Sequence, residues 1–250
     1  MRSTRGRHTS VAGGACLQIR AVAKQYGAVK ALDGVDLLIE SGEALGLIGP
    51  NGSGKTTMID CIAGAISVTA GSIFMDEVDI TKASRPQRAR LGISRTFQNL
   101  KLFAEMTVEE NVAAGLTARP TKSYSRGAVV GSLLEQFGLS SVARERSPDL
   151  SYGYQRRVEM ARALASQPRL LCLDEPAAGL NDTETLELRG ILTDIHANAN
   201  CTLIIIDHDM TLVFGVAQRV VVLDEGYKIY EGSPDTVFQQ VHVVEAYLGS

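Results

Sequence analysis

The chain has 250 residues, 45% of them hydrophobic and 21% charged, with a formal net charge of −3. That hydrophobic share can bury a sizeable core, which excludes a disordered chain, and the charge offers no global basic field for nucleic acid. No run approaches the ~20 apolar residues that span a bilayer, the longest apolar patches being strand-sized, such as Leu170–Leu173 and Leu203–Ile206.

Residues 1–15 read as a solvated tail, made locally cationic by Arg2, Arg5, Arg7 and His8. The run from Ser10 to Cys16 is too short and too glycine-rich for the apolar stretch of an export signal. Residues 16–97 predict a β subdomain and phosphate-loop core. Strands are expected at Leu17–Val22, Val35–Ile39 and Glu43–Ile48, punctuated by Gly27, Gly34 and Gly42. A glycine-rich loop, Gly49–Gly54, precedes a helix over Thr56–Ala65, with Met58, Ile59, Ile62 and Ala63 at helical spacing and Gly64 to end it.

Residues 98–150 change character and predict an inserted helical lobe, with helices over Val108–Leu116 and Gly127–Phe137 broken apart at Pro120. Residues 151–250 return to alternation: helix Gln155–Ala165, strand Leu170–Leu173, helix Thr183–Ala197, strand Thr202–Ile206, helix Met210–Val216 and strand Val220–Leu223. Such alternation implies an α/β fold, a parallel sheet covered on both faces. Asp224-Glu-Gly226 reads as a hairpin turn, and Ser233-Pro234 as the cap and first turn of a C-terminal helix. Cys16, Cys61, Cys172 and Cys201 show neither metal spacing nor a Cys-x-x-Cys motif, which suits reduced, mostly buried thiols in the cytosol.

Gly49-Pro50-Asn51-Gly52-Ser53-Gly54-Lys55-Thr56, continued by Thr57, fits the P-loop pattern, in which backbone N–H groups at a helix start cradle phosphates. Lys55 would reach the β- and γ-phosphates and Thr56 would offer its hydroxyl to Mg²⁺. The strand ending in Asp174-Glu175 delivers two carboxylates to opposite sides. Asp174 then suits Mg²⁺, and Glu175 suits the water that attacks the γ-phosphate. His208 follows another strand and is expected at the same sheet edge, within reach of a γ-phosphate. Gln98 lies at the entrance to the helical lobe and is, taken alone, an ordinary polar residue; a role at Mg²⁺ and the attacking water follows only from its order among the other motifs. Tyr26, upstream of the P-loop, could stack on adenine.

The order Tyr26, Gly49–Thr56, Gln98, Leu150-Ser-Tyr-Gly-Tyr-Gln-Arg-Arg157, Leu170–Glu175, His208 resembles the motif set of ATP-binding-cassette ATPases. That resemblance implies a P-loop NTPase (RecA-like) core with an N-terminal antiparallel β subdomain and an inserted α-helical subdomain. It also implies that Ser151 and Gly153 bind the γ-phosphate of ATP held by a second ATPase subunit. Two segments depart from the usual family pattern: Tyr152 and Tyr154 interrupt Leu-Ser-Gly-Gly-Gln, and Asn181 stands where many members have aspartate. These departures, with Arg95-Thr-Phe-Gln98-Asn-Leu-Lys-Leu-Phe103 and Glu245-Ala-Tyr-Leu-Gly249, are similar to the ATP-binding subunits of bacterial branched-chain amino acid importers. The partners so implied are a second ATPase subunit, integral membrane permeases and, indirectly, a periplasmic binding protein. The location implied is cytoplasmic, peripheral on the inner face of the plasma membrane. Related urea or amide importers share the pattern, and a cassette ATPase driving a soluble machine, or a P-loop kinase, are the alternatives from other classes. The lobe over 98–150 is expected to face the membrane, with Leu100, Leu102, Phe103 and Met106 as docking contacts.

Overall fold

The computed structural model describes residues 13–96, 100–118, 126–199 and 201–248. In chain order its elements are β1 (Leu17–Tyr26), β2 (Val29–Ile39), β3 (Ala44–Ile48), α1 (Lys55–Ala63), β4 (Ala70–Met75), β5 (Val78–Asp79), α2 (Arg85–Leu91), β6 (Ile93–Arg95), α3 (Val108–Gly115), α4 (Arg126–Gln136), α5 (Tyr152–Ala165), β7 (Leu170–Asp174), α6 (Asp182–Ala199), β8 (Thr202–Ile206), α7 (Met210–Val216), β9 (Arg219–Asp224), β10 (Tyr227–Gly232) and α8 (Val241–Leu248).

Two sheets organise them. An antiparallel sheet has the order β2-β1-β4-β5, and a second has the order β10-β9-β3-β8-β7-β6, parallel from β9 to β6 with β10 antiparallel at one edge. The central strands β3, β7 and β8 are buried at every position, and nearly all apolar, because both faces are covered. Their period of two divides them between two cores. Ala44, Ile48, Leu171, Leu173, Leu203 and Ile205 join the core that the later helices cover. Leu45, Leu47, Leu170, Cys172, Ile204 and Ile206 join the core shared with α1 and the antiparallel sheet. This is the P-loop NTPase architecture, with an antiparallel N-terminal subdomain and a helical insertion.

The inserted helices lean on the segment that follows them. Val108 and Val112 of α3, and Val130 and Leu134 of α4, lie in one buried cluster with Val158, Ala161 and Ala165 of α5. The loop leading into α3 is pinned by Asn111, which is fully buried. Its Oδ1 accepts from the Phe103 amide at 2.9 Å, and its Nδ2 donates to the carbonyls of Phe103, Met106 and Thr107 and to Ser147 Oγ.

Local differences from the sequence expectations have local causes. Helix α5 starts at Tyr152 rather than Gln155, because Ser151 takes the N-cap conformation and the polar Tyr152–Gln155 stretch forms the first turn. Ser233 does cap and Pro234 does open a turn, but the turn is a 3₁₀ segment, Pro234–Gln239, and the C-terminal α-helix begins only at Val241. Among the described residues no helix is long and apolar enough to cross a membrane.

Candidate functional site

The centre of the site is the exit from β3. Three glycines there adopt left-handed φ values: 145° at Gly49, 79° at Gly52 and 105° at Gly54. A Cβ at Gly49 would lie 2.0 Å from the Leu223 carbonyl oxygen, and one at Gly54 would lie 2.4 Å from that of Ala31. Gly52 has open space around it, so there only its backbone angle demands glycine. Pro50, Asn51 and Ser53 complete the turn, and Gly54 is the N-cap of α1. Lys55 opens that helix and folds its buried ammonium back onto the loop, donating to the carbonyls of Gly49 at 2.8 Å and Pro50 at 2.7 Å. Burial lowers its pKa below the ordinary lysine value, against the opposing pull of Glu175 and Asp174. Thr56 is exposed and Thr57 half-buried on the first turn of α1. The loop's far side is tied down by Gly226 of the β9–β10 turn, whose amide donates to the Ser53 carbonyl at 3.1 Å and whose carbonyl accepts from the Asp33 amide at 3.0 Å.

Asp174 closes β7 at 1% exposure. Its Oδ2 lies 3.3 Å from Arg95, which also pairs with Asp60 of α1, and its amide donates to Thr96 Oγ1 at 3.2 Å. Burial raises its pKa while Arg95 opposes the rise. Asp174 Oδ1 and Ser53 Oγ are buried without a hydrogen-bond partner. Buried polar atoms are ordinarily satisfied, so both fit an additional ligand. The chemistry of the set, one carboxylate plus the Thr56 hydroxyl beside a phosphate cradle, fits Mg²⁺, which keeps waters and phosphate oxygens as its other ligands. Among the described residues no group of three or more histidine, cysteine or acidic side chains forms a dedicated metal cage.

Glu175 follows at φ 49°, a left-handed conformation that costs an L-residue about 1–2 kcal/mol. It is held from both sides: its amide donates to the Ile206 carbonyl at 2.7 Å, and its carbonyl accepts from Arg156. Its Oε1 lies 3.4 Å from His208 Nε2. His208 is presented between two anchored neighbours. Buried Asp207 accepts from the amides of Ala177 at 2.7 Å and Asp209 at 2.9 Å. Asp209 in turn caps α7 through the amides of Thr211 and Leu212.

Tyr152 and Gly153 lie against the segment that follows Glu175. Ser151 is exposed at the start of α5. A Cβ at Gly153 would meet Glu184 Oε1 at 2.4 Å, and one at Gly179 would meet the Tyr152 ring at 2.9 Å. Tyr26, at the end of β1, is half exposed, with Lys24 Nζ 4.8 Å from its ring centroid. Gln98 lies outside the described residues. The structure thus brings Lys55, Asp174, Glu175 and His208 to one edge of the parallel sheet.

A P-loop beside two strand-end carboxylates and a strand-end histidine is shared by more than one class of nucleotide enzyme, and likeness to known proteins separates them. The sequence pattern of the ABC transporter family matches residues 32–178, from β2 through Glu175. The chain belongs to the ABC transporter family as an ATP-binding subunit. The high-affinity branched-chain amino acid transport ATP-binding protein BraF of Pseudomonas aeruginosa is 36% identical over 248 residues, covering 93% of this chain and 97% of its own. LivG of Escherichia coli, of the same description, aligns with the same identity and coverage. The sulfate/thiosulfate import ATP-binding protein CysA 2 of Rhizobium meliloti is 39% identical over 226 residues, covering 89% of this chain and 61% of its own. Among solved structures, the ADP conformation of the cassette MJ1267 matches with a TM-score of 0.84 at 30% identity, covering 94% of this chain and 99% of its own. The dimeric post-hydrolysis state of the cassette MJ0796, bound to ADP and Pi, matches with a TM-score of 0.79 at 26% identity, covering 87% and 98%.

This ABC ATPase also uses residues that motif reading did not single out for a role. Arg95 and Thr96 brace Asp174, Asp207 braces the turn before His208, and Arg156 braces Glu175. For Arg156 the available signal was an arginine three positions before Glu159 on a helix whose neighbours are apolar.

Proposed function

We propose that this ATP-hydrolysing subunit powers the import of branched-chain or other hydrophobic amino acids. The observation that carries the reading is that BraF and LivG align over nearly the whole of both chains. CysA 2, although slightly more identical, shares only 61% of its length, which favours the amino-acid reading over a sulfate one. In this reading the chain lies on the cytoplasmic face of the membrane beneath integral permeases, pairs head to tail with a second cassette, and serves a periplasmic binding protein.

Catalysis would rest on the P-loop and on the residues that follow β7 and β8. The Gly49–Gly54 amides and Lys55 hold the β- and γ-phosphates, with Thr57 beside them and Tyr26 against adenine. Thr56 and Asp174, with Gln98, would hold Mg²⁺, which would supply neutralisation of the negative charge that develops on the phosphates. Glu175 orients and polarises the attacking water, and His208, across from it, contacts the γ-phosphate. Ser151 and Gly153 serve the nucleotide of the partner cassette, which the dimeric state of MJ0796 supports by analogy. The experiment is reconstitution of the complete transporter in vesicles. ATP hydrolysis stimulated by a binding protein loaded with leucine, isoleucine or valine is the expected result. Stimulation by sulfate or urea in place of these amino acids would replace the cargo and leave the ATPase assignment standing.

A further inference from the structure

Arg156 lies on α5 three residues after Gly153, and its guanidinium is fully buried. It meets three consecutive carbonyl oxygens: Asp174 at 3.5 Å, Glu175, and Pro176 at 3.3 Å. It pairs with Glu159, also buried, at 2.9 Å. Packing alone does not require such a pair, because well-packed apolar side chains of similar volume usually serve stability as well or better. What an arginine adds is a rigid planar fork of donors, able to register several acceptors at once. Here the acceptors are the backbone on either side of a glutamate held at φ 49°.

The helix carrying this fork is clasped to the same segment at three further points: the Tyr152 ring over Gly179, Gly153 against Glu184, and the ion pair of Arg157 with Glu187. The start of α5 and the Glu175 backbone therefore form one mechanical unit. We infer that Arg156 is a positioning residue that couples the Ser151–Gly153 start of α5 to the conformation of Glu175 in the same chain. Under the two-cassette reading proposed above, on which this inference rests, α5 shifts when Ser151 and Gly153 engage the partner's nucleotide. Arg156 carries that shift to the Glu175 carbonyl, and so each chain's own water-activating group answers to the ATP bound by its neighbour. No new covalent step is involved.

The test compares full-length wild type with Arg156→Lys and with the double variant Arg156→Met, Glu159→Met. The lysine variant keeps the charge and loses the fork. The double variant removes both members of the pair, so no charge is left buried alone. Binding of a fluorescent ATP analogue gives affinity, steady-state hydrolysis gives kcat, KM and the Hill coefficient, and circular dichroism melting follows the fold. The expected result is unchanged analogue affinity and KM, with kcat lower by on the order of 10²-fold, the cost of a misplacement of about 1 Å at the chemistry. The Hill coefficient should fall toward about 1 as the coupling between sites is lost. A folded variant with wild-type kcat and cooperativity overturns the inference. So does loss of fold in both variants, or a parallel fall of affinity and kcat, since either assigns Arg156 to stability alone. Gel filtration of a Glu175→Gln chain with ATP separates the two readings. If it forms no dimer, the two-cassette reading falls and takes the coupling with it. If it dimerises while Arg156→Lys behaves as wild type, only the role of Arg156 falls.

Discussion

Nε2 of His208 and Oε1 of Glu175 face each other at 3.4 Å, although the two residues arrive on different strands, β8 and β7. The strands that deliver them stay paired past the end of β7, since the Glu175 amide bonds to the Ile206 carbonyl. Glu175→Gln should therefore keep its place, its contact with His208 and its nucleotide affinity, while losing the carboxylate that activates water. Hydrolysis should fall by roughly 10²–10⁴-fold. Phosphate release and analogue binding, measured on one preparation, check this, and near-wild-type hydrolysis would remove Glu175 from the role.

The three P-loop glycines should not respond alike. Gly49→Ala drives a Cβ to 2.0 Å from a backbone oxygen that cannot yield, so it should abolish nucleotide binding and lower the melting temperature. Gly52→Ala meets nothing and incurs only the left-handed penalty of about 1–2 kcal/mol. Differential scanning fluorimetry with and without ATP resolves the two. Lys55→Ala should leave the fold intact and lose the ATP-induced shift.

Burial pushes three thiols far up: Cys61 to about 11, Cys172 to about 12 and Cys201 to about 12. Unfolded thiols ionise near 8.5, so between that pH and about 11–12 the unfolded chain releases protons that the folded chain retains. Stability contributed by these thiols is thus complete below pH ~8.5 and lost as pH rises toward ~12. Melting temperature should decline on the alkaline side more steeply than in a Cys61→Ala, Cys172→Ala, Cys201→Ala variant. In native protein at pH 8, iodoacetamide should modify half-buried Cys16 before any of the three, as peptide mapping would reveal.

Phe103 and Met106 are exposed on the loop that Asn111 pins. Charged replacements, Phe103→Asp with Met106→Asp, should leave basal hydrolysis unchanged and abolish transport in vesicles if this loop meets the permease. Asn111→Ala strands several buried polar groups and should cost roughly 2–4 kcal/mol by denaturant unfolding. Normal transport by the aspartate pair would move the membrane contact elsewhere.

Much of this was legible from residue order. Thr202–Ile206 and Met210–Val216 have the expected boundaries, because a β-branched run ends at Asp207 and Asp209 supplies a strong cap. The chemistry-bearing edge was legible too, since strand ends in a parallel sheet must gather there. The residues between Gly64 and Gln98 were not assigned, and they hold short elements: β4, β5, α2 and β6 span two to seven residues, too few for periodicity to declare itself. The bracing side chains were equally hidden. Arg95 and Arg156 act on partners 79 and 19 positions away in sequence, and beyond the spacing of Arg156 to Glu159 nothing local distinguishes them from surface arginines.

The placement of β3 has a consequence for how the chain comes to life. Its hydrogen-bonded neighbours are β8 and β9, and the turn that steadies Ser53 is Gly226. A nascent chain thus carries its phosphate loop out of the ribosome long before either flanking strand exists. At about 5–20 residues per second the wait is on the order of ten seconds or more. Throughout that interval β3 is an apolar strand with two unpaired edges, and competence to grip ATP arrives only once β8, β9 and Gly226 have been made. A product truncated before Gly226 would therefore be blind to nucleotide, so ATP can reward with its stabilising grip only molecules that already carry both flanking strands.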